Sequence, residues 1–139
     1  MRFIVFVKAS KESETGAMPD RRELEDMNRF NEKLVDAGAM LAGEGLKPTS
    51  KGTRIKFAKG KPTTTDGPFG DADSQVAGYW ILQAKSKAEV IEWMKQAPFV
   101  DGELEIRQIV EDEEFAFAPE VMEHEKKLRA RMEQNQQRH

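Results

Sequence analysis

A chain of 139 residues is long enough to close one hydrophobic core, and its 38% apolar and 34% charged residues lie on the polar side of ordinary for a globular domain. The 22 basic and 25 acidic residues leave a net charge of −3 and read as well mixed, with no basic stripe, so no nucleic-acid partner is expected. With no cysteine, thiol catalysis, disulfides and cysteine-type zinc sites are excluded. No segment approaches the ~20 apolar residues of a bilayer span, and the N-terminal apolar run is too short for a signal peptide. A cytoplasmic protein with no membrane partner is the expectation.

Residues 2–7 read as a strand apolar on both faces, with Phe3, Val5 and Val7 on one and Ile4 and Phe6 on the other. Lys11 to Met18 reads as a loop. Asp20 then caps a helix, with Glu23 three residues on, and Leu24, Met27, Phe30 and Leu34 recur at helical spacing until Gly38 stops the run. Ala39 to Leu46 reads as a second strand weakened by glycines. Thr53 to Ala58 alternates Ile55 and Phe57 against Arg54 and Lys56, as a strand with one wet face does, and Lys59-Gly60 turns it into Lys61 to Asp66.

After the Asp66-Gly67-Pro68-Phe69 corner and an acidic loop, Gln75 to Leu82 is strand-like on both faces. Val76, Trp80 and Leu82 oppose Ala77, Tyr79 and Ile81. Ser86 and Glu89 form a capping-box signature opening a helix through Gln96, which Pro98 ends. Glu103 to Val110 is the last strand. Without the inserted hairpin this order is the split βαβ arrangement of a ferredoxin-like α+β fold. One open sheet with helices on one side leaves an apolar face bare, carrying Ile4, Phe6 and either Tyr79 with Ile81 or Trp80 with Leu82. A second copy is the simplest cover, which makes a homodimer the expected partner state. Residues 1–110 form the domain, and 111–139 a surface helix from Pro119, with Glu125→Arg129 as an i,i+4 pair and a frayed end from Gln134 to His139.

Asp66 is the first candidate for chemistry. It serves either as a turn or capping residue before Gly67, or as a ligand-facing carboxylate. Lys8 on the first strand, Glu44 between two glycines, and Glu105 and Arg107 on the last strand are charges on sheet faces that a dimer would cover. They form cross-strand ion pairs or line a cavity for a small polar metabolite. Phe69 and Trp80 either pack in the core or supply its aromatic wall. His124 and His139 both lie beyond the last strand, so a histidine-based triad or zinc site is unsupported and neither metal nor cofactor is implied.

The Asp66-Gly67-Pro68-Phe69 corner, with Lys8, Gly43-Glu44-Gly45-Leu46, Ala77-Gly78-Tyr79-Trp80, Glu92-Trp93 and Glu105-Ile106-Arg107 in order, resembles the DGPF or YCII-related family of small bacterial proteins. The resemblance covers about residues 1–110 and implies a dimeric α+β barrel. It departs after the corner, where Gly70-Asp71-Ala72-Asp73-Ser74 replaces the family's usual Ala-Glu-Thr-Lys-Glu. In the narrower YCII branch a His–Asp pair is proposed as catalytic, and a few relatives are dehydrochlorinase-like. Only Asp66 carries across, because this chain has no histidine near its first strand. Some members stand beside alternative sigma factors, which implies a regulatory setting.

The expected function is a homodimeric barrel binding a small polar or aromatic metabolite through Lys8, Glu44, Asp66, Phe69, Trp80 and Arg107. The alternatives are a weak lyase or isomerase with Asp66 as general base and Lys8 or Arg107 stabilising the anion, and an interaction module docking through acidic loop 71–73 and the C-terminal helix.

Overall fold

The computed structural model describes residues 1–137, so His139 and the tip of the stretch expected to fray lie outside the described residues. Two compact units are present, the first spanning Met1–Ile109 and the second starting at Val110. The first contains β1 (Arg2–Lys8), α1 (Lys11–Glu14), α2 (Arg21–Asp36), β2 (Met40–Gly45), β3 (Thr53–Ala58), β4 (Lys61–Asp66), β5 (Val76–Gln83), α3 (Lys87–Met94) and β6 (Leu104–Gln108).

Four strands form one antiparallel sheet in the order β2-β5-β1-β6. With α2 and α3 as the two crossovers, this is the ferredoxin-like topology, and β3–β4 is the inserted hairpin. Register decides which side of the sheet is the core. Phe3 stands opposite Leu82 and Val5 opposite Trp80, and all four are buried against Phe30 and Leu34 of α2 and Val90 and Met94 of α3. Strand alternation then sends Ile4, Phe6, Tyr79 and Ile81 to the other face, where they are half-buried. Of the two sequence-based possibilities for that face, the register selects Tyr79 with Ile81.

The helix ends follow local chemistry. Asp20 Oδ1 accepts from Glu23 N at 2.9 Å and opens α2; Gly38, at φ 71°, turns the chain out of it into β2. Ser86 caps α3 in the same way through Glu89 N.

Two segments differ from the sequence reading. Lys11 to Met18 is not all loop: α1 forms there because Ser10 and Ser13 cap each other's backbone N–H reciprocally. Four residues are too few to show a periodicity. The β3–β4 hairpin has no dry face, since every residue of both strands is exposed and the pair forms a sheet of its own. Alternation marks one face as apolar without saying that anything lies against it.

The second unit holds a short 3₁₀ turn over Asp112–Phe115 and α4 (Pro119–Gln137). Arg129 Nη2 donates to Asp112 Oδ1 and to Glu125 Oε1, both at 3.1 Å, tying the helix to the turn before it. The Asp112 hydrogen bond, then its charge and Glu125's contacts, raise the Arg129 pKa. Among the described residues no helix is long and apolar enough to cross a membrane, and no group of three or more His, Cys, Asp and Glu stands ready to hold a metal ion.

Leu82 is fully buried between the sheet and the helices, whereas Val35 is exposed on α2. Leu82→Ala is expected to cost about 2–5 kcal/mol in urea unfolding, and Val35→Ala less than about 0.5 kcal/mol. Equal effects at the two positions would contradict this placement of the core.

Candidate functional site

The corner after β4 is a closed network. Thr53 pairs with Asp66 across the base of the hairpin, and Thr53 Oγ1 donates to Asp66 Oδ1 at 2.7 Å. The exposed Asp66 carboxylate thus takes a side-chain partner across the hairpin rather than bonding its own turn. Gly67 N donates to Gly52 O at 3.0 Å, and a Cβ on Gly67 would lie 1.8 Å from Thr49 O, so only glycine fits. Thr49 is held in turn by Glu14, whose carboxylate accepts from its N–H at 3.1 Å and its hydroxyl at 2.5 Å. Phe69 N donates back to Thr49 Oγ1 at 3.3 Å.

Arg54 lies 4.0 Å over the Phe69 ring, a cation–π contact, and donates from Nη2 to Gln75 Oε1 at 3.3 Å. Gln75, 7% exposed, donates from Nε2 to Phe69 O and Asp71 O. These bonds fix the hairpin base to the body of the domain.

On the sheet face away from the helices stands a mixed-charge row. Lys8 Nζ lies 3.8 Å from Glu105 Oε1, Arg107 is opposite Ile4, and Glu44 is opposite Tyr79. The Lys8–Glu105 pair is partly exposed and correspondingly modest.

Trp80 belongs to the helix side. It is 4% exposed, and its Nε1–H donates to Asn31 Oδ1 at 2.9 Å. Phe30 and Phe99 meet the indole edge to face, with centroids 5.8 and 6.4 Å away. Gly43 on β2 makes room for it: a Cβ there would come within 3.1 Å of Trp80 Cδ1 and 2.5 Å of Met40 Cε.

Over Trp80 opens a groove of about 550 Å³, walled by Leu24, Met27 and Asn31 of α2 and by Pro98, Phe99 and Val100 after α3. A second cleft of about 550 Å³ continues it, sharing Val7, Pro19, Glu23, Ala77, Phe99 and Val100 and reaching Glu12, Asp101 and Glu103. Asn31 gives its carbonyl to the indole, which leaves its NH₂ as a donor in an otherwise mostly apolar chamber.

The six residues expected to share one pocket therefore occupy three places. Lys8, Glu44 and Arg107 are on the open sheet face, Asp66 and Phe69 are at the corner, and Trp80 is under the helix-side groove. Odd and even strand positions face opposite ways, so Arg107 beside Ile4 and Glu44 beside Tyr79 lie on the face opposite Trp80, while Lys8, past the irregularity after Val7, also borders the second cleft. Asn31, Leu24 and Phe99 did not figure among the sequence candidates. Asn31 was findable, as the one polar position in the helical series Leu24, Met27, Asn31 and Leu34. Phe99 carries no such signal, because it sits in an irregular segment.

Comparison with known proteins adds three findings. The sequence model of the YCII-related domain matches residues 1–113. An uncharacterized protein of Rhizobium meliloti (strain 1021) is 25% identical over 76 residues, which are 55% of this chain; the chain spans 61% of that relative's length. A solved structure of 5-chloro-2-hydroxyhydroquinone dehydrochlorinase from Burkholderia phenoliruptrix AC1100, in complex with 2,5-dihydroxybenzoquinone, aligns at a TM-score of 0.46 and 14% identity, over 79% of this chain and 94% of that one. A likeness of that size carries no argument about activity. The match over residues 1–113 is most of the chain, and this protein belongs to the YCII-related family.

Proposed function

We propose that this protein is a homodimeric small-molecule-binding domain whose ligand lies in the groove over Trp80. The observation that carries the reading is the chamber itself: about 550 Å³, floored by a fixed indole, mostly apolar, with one amide donor pointed by its own bond to that indole. Such a site takes a flat apolar or aromatic body against Trp80 and Phe99 and one hydrogen-bond acceptor at Asn31. Residues 1–109 contain neither histidine nor cysteine, and the ionisable side chains that line the groove besides Tyr79 are the carboxylates Glu23 and Glu44.

Dimerisation is the second part of the proposal. Ile4, Phe6, Tyr79 and Ile81 form an apolar strip across the two central strands, rimmed by Lys8, Glu44, Glu105 and Arg107. Two such faces packed about a two-fold axis bury the strip and leave the charges at the edge. Catalysis by Asp66 as general base, with Lys8 or Arg107 stabilising an anion, has less support. The Asp66 carboxylate is exposed and bonded to Thr53, and Lys8 stands beside Glu105.

N-phenyl-1-naphthylamine, a neutral flat aromatic probe, is expected to bind saturably with one site per protomer. Phe99→Ala is expected to weaken it about two- to tenfold, the worth of one edge-to-face partner. Non-saturable binding, or an affinity untouched by Phe99→Ala, would argue against the groove. For the dimer, Ile81→Asp places a charge in the strip, and sedimentation velocity should then record a monomer. A dimer that persists would remove the sheet face from the account.

A further inference from the structure

The charges of this chain are not well mixed, as the overall composition suggests, but segregated. Between residues 45 and 65 there are six cations, Lys47, Lys51, Arg54, Lys56, Lys59 and Lys61, and no acid. All six are exposed, and four of them lie in the β3–β4 hairpin and its turn. Since the whole chain carries −3, the remainder carries −9, from −3 minus +6. The hairpin also exposes Ile55 by 59% and Phe57 by 71%, on one face with Thr64 and Pro62. A two-stranded ribbon is marginal in water without a surface to lie on. This one is closed at its base by the Asp66–Thr53 bond and tied there to the rest of its domain by the Phe69–Arg54–Gln75 contacts.

The groove has the opposite character. The acids stand on the second cleft that continues it, whose lip carries Glu12, Glu23, Asp101 and Glu103, and none of the four pairs with a cation among the described residues. The two lysines that line it, Lys8 and Lys95, pair with Glu105 and Glu92. Beside the acids stand exposed Leu24, Phe99 and Val100. The hairpin and the groove are thus complementary in charge and in apolar surface, yet the hairpin stays fully exposed and does not fill the groove of its own chain.

We propose that the β3–β4 hairpin of each copy docks on the acidic lip of its partner's groove, in reciprocal exchange. Phe57 and Ile55 then meet Leu24, Phe99 and Val100, and each ligand site is completed by the other subunit. The inference rests on the groove being the binding site and adds to the contact between sheet faces. A nucleic acid is the less favoured occupant. It would meet six cations but also the excess of nine acids on the rest of the same protein, whereas a second copy offers those acids as the docking surface.

The test is a charge swap on the full chain. Lys56→Glu with Lys61→Glu reverses the hairpin, and Asp101→Lys with Glu103→Lys reverses the lip. Each double variant alone is expected to weaken self-association at least about tenfold, because like charges then face each other. An equimolar mixture should restore pairing, with hybrid dimers in native mass spectrometry well above the statistical half. Two variants that stay dimeric and mix statistically would overturn the exchange. So would a hairpin variant that loses only retention on duplex DNA, which would name a nucleic acid instead.

Should either variant unfold, the unmodified chain decides. Its dimer must loosen as salt rises to about 0.5 M, where screening is nearly complete, and a salt-independent dimer overturns the proposal. N-phenyl-1-naphthylamine separates the two readings. Hybrid preference without probe binding removes the ligand site and keeps the exchange, while probe binding with statistical mixing does the reverse.

Discussion

The pairing of Val5 with Trp80 and of Phe3 with Leu82 is the constraint from which the rest of the structure follows. These four side chains, with those of α2 and α3, are the core. Because successive side chains on a strand face opposite ways, seating them fixes the direction of the residues in continuous register with them. It sends Ile4, Phe6, Tyr79 and Ile81 to a second apolar face and places Lys8, Glu44 and Arg107 around it. It also puts Trp80 beneath the groove, and it requires Gly43 where β2 passes the indole. A one-residue slip would exchange the two faces and leave Trp80 without Asn31.

A second constraint acts at the corner. Gly67 sits against Thr49 O with no room for a side chain, and Thr49 is bound by Glu14 from the short α1 helix. The short helix, the 3₁₀ turn at Thr49–Lys51 and the end of β4 are therefore one piece, with Gln75 and Arg54 closing it from the other side. The corner works as a mounting for the hairpin. It holds a basic ribbon with exposed Phe57 clear of the sheet, which is the geometry that a reaching contact needs.

Much of this was legible in the sequence, for identifiable reasons. The helix starts at Asp20 and Ser86 showed because caps are local chemistry, and β1 and β5 showed because both their faces are apolar. The ferredoxin-like order followed from the succession of elements. What stayed hidden depends on surroundings rather than pattern. Alternation in Thr53 to Ala58 says that one face is apolar, but whether a neighbour covers it is a tertiary fact. The choice between Tyr79 and Trp80 for the open face depends on which pair the helices meet. Phe69 was a visible aromatic, yet its partner Arg54 stands fifteen positions earlier, on β3, beyond any local spacing. The groove is assembled from α2 and the segment after α3, so only the fold brings Asn31 and Phe99 to the same indole.

Native mass spectrometry of protein purified without denaturation tests the central claim most directly, because it reads subunit number and retained small molecules together. The account predicts twice the protomer mass and, where a ligand survives purification, an added mass of a small aromatic or apolar compound in up to two copies. A monomer at micromolar concentration would contradict it, since neither the open sheet face nor the basic hairpin would then have the partner proposed for it.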